Sequence, residues 1–156
     1  MVNQLTAGSS IDPWPETILP EPETTISAVA TLRADEVSPT TVVTETDERQ
    51  SEIRELIKLI GEIYDAPADL ALAIARCESQ YSQFADSGRV LRGRKNPNDV
   101  GVFQINEDYH LVASKKLGFD IHTIEGNIAY AMWLLKRDGS KPWRASQPCW
   151  GQIAKS

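Results

Sequence analysis

Glu78 is the side chain best placed to do chemistry in this 156-residue chain. It closes the run ALAIARCES over residues 71–79, whose small and branched apolar residues predict a helix buried on most sides. A carboxyl on such a helix resists ionisation, because desolvation disfavours its charged form. The negative end of the helix dipole acts in the same direction. A carboxylic acid still protonated near neutral pH, at the edge of a cleft, is what cleavage of a sugar–sugar bond requires. About twenty residues later stands NDVGVFQIN, residues 98–106, with Asp99 as a second carboxylate and Gln104 and Asn106 as amides. Each of these residues also has a plainer reading. Glu78 can be a helix-end carboxylate paired with Arg76 or with an arginine of residues 89–95. Asp99 can hold an Asx-turn, and Gln104 and Asn106 can satisfy turn backbone. Phe103, Tyr130, Trp133 and Trp143 can be core aromatics or platforms for sugar rings.

The elements that position these residues follow from periodicity and punctuation. Ile53, Leu56, Ile57, Ile60, Ile63 and Tyr64 recur at helical spacing, predicting an amphipathic helix from about Asp47. Asp65 and Pro67 separate it from the helix that ends at Glu78. Residues 84–100 carry turn chemistry around Arg89–Arg92, which predicts a small hairpin or lobe. A helix over Glu107–Leu117 is stopped by Gly118. A longer one over Thr123–Arg137 turns Ile124, Ile128, Ala131, Leu134 and Leu135 inward and stops at Asp138-Gly139. Residues 142–150 form a compact aromatic segment.

Composition divides the chain. Residues 1–50 hold 9 acids and 2 bases, whereas residues 51–156 hold 13 acids and 14 bases. Five of the nine prolines also lie in the first part, which predicts a disordered Pro/Thr/Glu-rich tail over residues 1–46 and one domain over 47–152. Ile26–Leu32 and Thr40–Val43 are its apolar pieces, and Trp14 is a stray aromatic. The near-neutral domain carries no nucleic-acid footprint. The basic run Arg89, Arg92, Arg94, Lys95 reads as a solvated loop face or as a contact to an anionic polymer. No run of residues is long and apolar enough to span a bilayer, and residues 1–5 lack the features of a secretory signal.

The two cysteines, Cys77 and Cys149, are either buried thiols or a disulfide. No metal is expected, since His110 and His122 lack ligand spacing. The disulfide is the preferred reading; it would close a loop of about 72 residues, worth on the order of 4 kcal/mol in the chain-entropy model. It also implies an oxidising compartment.

Taken together and in order, ARCES over 75–79, DVGVFQIN over 99–106 and Gly126-Asn127-Ile128 opening a helix resemble the soluble lytic transglycosylase domain and its lysozyme-like relatives, over roughly residues 50–150. The resemblance implies an α+β, predominantly helical, lysozyme-like fold of two lobes with a small β-hairpin and a glycan cleft between the lobes. It gives Glu78 the acid/base role and Ser79 a supporting one. Gly101, Phe103 and Gln104 fall on the family's Gly-Leu-Met-Gln motif, where the Gln reaches the sugar. A cysteine directly before the Glu, with a second after a Trp near the C-terminus, is similar to resuscitation-promoting factors and supports the Cys77–Cys149 bond. Two departures stand out. The family's Ala-Tyr-Asn motif is replaced by residues Trp143–Trp150, so the residue supporting Glu78 is unassigned and Tyr130 or Trp133 would form the aromatic wall. Asp99 matches the second carboxylate of animal-type lysozymes.

The expected activity is cleavage of the β-1,4 bond between N-acetylmuramic acid and N-acetylglucosamine with a 1,6-anhydro product. The alternatives are a hydrolase using Glu78 and Asp99, and a module that binds peptidoglycan without cutting it. Asn106, Tyr130 and Trp143 complete the expected substrate contacts. The expected setting is a monomer without cofactor, acting on peptidoglycan strands in the cell envelope or outside the cell.

Overall fold

The computed structural model describes residues 45–154, and the expected tail, with Trp14, Ile26–Leu32 and Thr40–Val43, lies outside them. The described chain is mostly helical, with one two-stranded antiparallel sheet. Helix α1 spans Glu45–Tyr64, with acidic residues in its first turn where the dipole favours them. Ile53, Ile57 and Ile60 are its buried stripe. Ile63, expected inward, is 51% exposed beside Leu59 at 56%. The apolar stripe is thus narrower than the composition of the helix suggests, and α1 covers the core along one edge only.

Asp65, at φ +50°, breaks α1, and Ala66 N–H returns to the Gly61 carbonyl. Helix α2, Ala68–Ser79, then packs against α1, with Pro67 just outside its first turn. A side chain at Gly61 would stand 3.3 Å from the Ala68 β-carbon, so that glycine permits the close approach of the two helices. Ala71, Ala73, Ile74 and Ala75 are buried, and Gln80 caps the end at φ +55°.

The segment after α2 is held by bridges rather than by long strands. Phe84 pairs with Val90, and Arg92 with Val100. The sheet itself is β1, Asp99–Val100, against β2, Ile105–Asn106, in the register Asp99 to Asn106 and Val100 to Ile105. The hairpin expected around Arg89–Arg92 therefore contributes only single bridges, and the ladder lies one turn later. Helix α3, Glu107–Lys116, follows directly; it is largely exposed, with Ser114 its one buried residue. Helix α4, Ile124–Asp138, starts at the Thr123 cap, whose hydroxyl accepts from Gly126 N–H at 3.0 Å, and it is buried nearly all round. A 3₁₀ segment, Lys141–Ser146, leads into α5, Gln147–Ile153, which packs on α2.

Two buried amides organise the turn between the strands. Asn127, fully buried on α4, accepts from Phe103 N–H at 2.9 Å and donates to the carbonyls of Val100 and Ile121. Gln83 accepts from Val102 N–H at 3.0 Å and donates to the Ile121 carbonyl. Gly101 passes between them at φ +72°, where an added β-carbon would stand 2.3 Å from Gln83 Oε1 and 2.5 Å from Asn127 Nδ2. Replacing Asn127 by Ala would leave the backbone groups of Val100, Phe103 and Ile121 short of a partner. The expected loss is roughly 2–4 kcal/mol, read from denaturant unfolding of the full chain; a change within 0.5 kcal/mol would show that the clamp contributes little.

Candidate active site

Helix α2 delivers Glu78 in its last turn, half-buried on the wall of a groove of about 1020 Å³. That is at the upper end of the ~300–1,000 Å³ usual for ligand sites. Gln104, from the turn between the strands, lines the same groove, as do Gly93 and both cysteines. The Cys77–Cys149 disulfide is formed, with the α-carbons 6.1 Å apart. It ties α5 to the residue directly before Glu78.

Burial pushes the Glu78 carboxyl above the usual carboxylate range, and the charge of Asp99 adds to the rise. A hydrogen bond from Ser146 opposes it. Ser146 Oγ lies 2.5 Å from Glu78 Oε1 and 3.1 Å from the Trp143 carbonyl. A hydroxyl has one proton to give. With Glu78 ionised, Ser146 donates to the carboxylate. With Glu78 protonated, Ser146 can turn its proton to the Trp143 carbonyl and accept from the acid instead. The second oxygen, Oε2, has no hydrogen-bond partner among the described residues. Neither Arg76 nor an arginine of residues 89–95 pairs with Glu78, so the ion-paired reading of this residue does not hold.

Ser79 sits beside Glu78 but serves the backbone. Its hydroxyl donates to the Val102 carbonyl at 2.8 Å and accepts from Ser82 N–H at 3.0 Å, joining the end of α2 to the turn. Gln104, at φ +48°, donates through both its main-chain N–H and Nε2 to the Gly101 carbonyl, at 3.2 and 2.9 Å. Its Oε1 faces Gly93, where a β-carbon would come within 2.9 Å of it and 2.5 Å of the Asn96 carbonyl. Asp99 is half-buried outside the groove lining; its Oδ1 accepts from Asn106 Nδ2 at 2.6 Å and Asn96 Nδ2 at 3.3 Å. Asn106 leaves its own Oδ1 buried and unpartnered, a cost accepted in orienting Asp99.

The expected aromatic contacts are placed differently. Phe103, Tyr130 and Trp143 are 0%, 1% and 4% exposed. Trp143 stacks at a tilt on Phe103 and donates Nε1 to its carbonyl at 2.8 Å. Tyr130 is sandwiched with Trp133 and bonded to His110, away from the groove lining. These rings hold the fold together, the core alternative rather than the sugar platform. Gly101 likewise acts through its backbone. The structure thus brings Glu78, Ser79 and Gln104 to one groove, and leaves Asp99 and Asn106, bonded to each other, outside its lining.

Sequence reasoning missed Ser146, Gln83 and the glycine at 93. Ser146 stands in the aromatic segment near the C-terminus, 68 residues from its partner, and a lone serine there carries no signal of its own. Gln83 had none either. Gly93 was legible only as a turn residue. Among the described residues no cluster of His, Cys, Asp or Glu could hold a metal ion, and no helix is long and apolar enough to cross a membrane. The chain matches no protein-family model, no curated protein and no solved structure.

Because the folded-state value of the Glu78 carboxyl lies above the unfolded one, the fold favours the protonated form. That contribution is complete below the unfolded value of about 4.3 and is lost as the pH rises through the folded value. Glu78→Gln, which cannot ionise, should therefore melt above the parent chain at pH 7 and level with it at pH 3–4, by calorimetry. Ser146→Ala removes the one hydrogen bond that favours the carboxylate, so the Glu78 titration followed by carbon-13 NMR should move to higher pH; a shift downward would contradict the assigned geometry.

Proposed function

We propose that this chain is a peptidoglycan lytic transglycosylase, with Glu78 as acid and then base. The observation that carries the reading is a half-buried carboxyl, pushed by burial above the usual carboxylate range, on the wall of a groove large enough for several sugar rings, with one oxygen anchored and the other unengaged among the described residues. The motif resemblance adds the substrate. Glu78 donates its proton to the glycosidic oxygen, whose alkoxide is a poor leaving group without it. Positive charge develops at the anomeric carbon of N-acetylmuramic acid and is met by the substrate's own N-acetyl oxygen. The carboxylate, now accepting from Ser146, removes the proton of the 6-hydroxyl. That oxygen closes on the anomeric carbon, giving the 1,6-anhydro end and a restored acid, with no water consumed. Gln104, fixed by Gly101 and facing the same groove, is the candidate for a hydrogen bond to an N-acetyl or hydroxyl group. The disulfide fits work outside the reducing cytosol, in the cell envelope or beyond it.

One observation favours a second reading. Asp99 is near enough for its charge to be felt at Glu78, as in a two-carboxylate hydrolase. Against it, the Asp99 carboxylate is turned to Asn96 and Asn106 and does not line the groove.

The test is digestion of purified sacculi by the full chain, with mass spectrometry of the products. Anhydro ends are expected, and Glu78→Gln should lower the rate by about 10²–10⁴-fold. Reducing ends lost in Asp99→Asn would establish the hydrolase. No release by the parent chain, or equal release by Glu78→Gln, would remove the enzyme and leave a binding module.

A further inference from the structure

The groove that holds Glu78 is walled by arginines from separate parts of the chain: Arg54 on α1, Arg76 on α2, and Arg92 and Arg94 on the segment before β1. Arg92 is neutralised, bonding both carboxylate oxygens of Glu107 at 2.5 and 3.3 Å. Arg54 stands over the Tyr81 ring at 5.5 Å, which fixes the guanidinium without cancelling its charge. Arg76 and Arg94 have no ion-pair partner among the described residues. Among the described residues Glu78 is the one carboxyl lining the groove, and burial favours its neutral form. Three positive side chains without an ion-pair partner among the described residues therefore line one cavity, although acids slightly outnumber bases over the described residues as a whole. The sequence run Arg89–Lys95 is resolved by this placement: Arg92 and Arg94 line the groove, and Arg89 and Lys95 do not.

We infer that Arg54, Arg76 and Arg94 form an anion subsite of this groove that takes carboxylates of the peptides carried on the glycan strand. The inference rests on the glycan-cleaving reading for the identity of the strand, and it adds what distinguishes the preferred strand from others. A neutral chain of N-acetylated sugars fills the groove but leaves the arginines facing each other's charge. A peptide-bearing strand supplies carboxylates at the groove wall, and the planar guanidinium fork matches that group in two parallel hydrogen bonds. Clefts lined by one sign of charge also concentrate ligands of the other. The arginines contribute to binding the strand and take no part in moving the proton.

The experiment measures equilibrium binding by calorimetry to the full chain carrying Glu78→Gln, which stops turnover. The probes are a soluble peptide-bearing glycan fragment and the same fragment with its carboxylates converted to amides. The acidic form should bind about tenfold more tightly, as expected for a few partly exposed charge pairs. The preference should shrink as salt rises toward about 1 M, where screening acts within ~3 Å. The double variant Arg76→Gln/Arg94→Gln should bind both fragments as the parent binds the amidated one, with an unchanged melting midpoint. Equal binding of the two fragments by the parent, absence of binding to either, or a double variant that weakens both alike would overturn the subsite. Failure of the cleavage reading is seen separately, as intact sacculi with the parent chain, and a charge preference in binding would survive it.

Discussion

Two buried side-chain amides, Gln83 and Asn127, hold the turn over Val100–Phe103, and the site is assembled outward from that clamp. Buried backbone groups must find partners, and a turn too tight for a ladder cannot supply them itself. The amides supply them from α4 and from the segment after α2. From the clamp a continuous series of bonds leads to the acid. Trp143 reaches the Phe103 carbonyl, Ser146 reaches the Trp143 carbonyl, and Ser146 meets Glu78. Ser79 makes the shorter connection, from the end of α2 to the Val102 carbonyl. The position of the carboxyl thus depends on groups buried elsewhere in the fold.

The electrostatics follow from the same arrangement. A carboxyl half out of water tends to keep its proton, and the charge of Asp99 strengthens the tendency. Ser146 sets the opposite bias and can serve either protonation state, because its proton has two acceptors within reach. The proposed reaction, in which the acid gives up a proton and later takes one back, needs both states to be accessible. The disulfide holds α5 against α2 beside Glu78, so the segment carrying Ser146 is anchored on both sides: by Trp143 in the core and by Cys149 at the groove.

How far the sequence could be read differed from element to element. Isoleucines at helical spacing placed α1, and the Thr123 cap and Gly139 stop bounded α4 to within a residue. These are local signals, repeated several times within one element. The strands were misplaced by several residues, because bridges of one or two pairs leave almost no alternation to read. Ile63 looks inward by spacing and is exposed, because burial depends on which neighbour covers a face, and α2 and α4 cover a narrower one. The aromatics could not be sorted between core and groove, since a tryptophan suits either place.

What the chain determined by itself was the helical framework and the acid at the end of an apolar helix, with a disulfide only the preferred of two readings for its cysteines. Periodicity and caps are properties of the linear order. What only the tertiary structure decided was which groups meet across long separations: Ser146 with Glu78, Asn127 with the turn, and arginines from α1, α2 and a loop around one groove. A hydrogen bond or a shared field requires proximity in space, and residues 68 positions apart along the chain become neighbours only when the helices between them have packed.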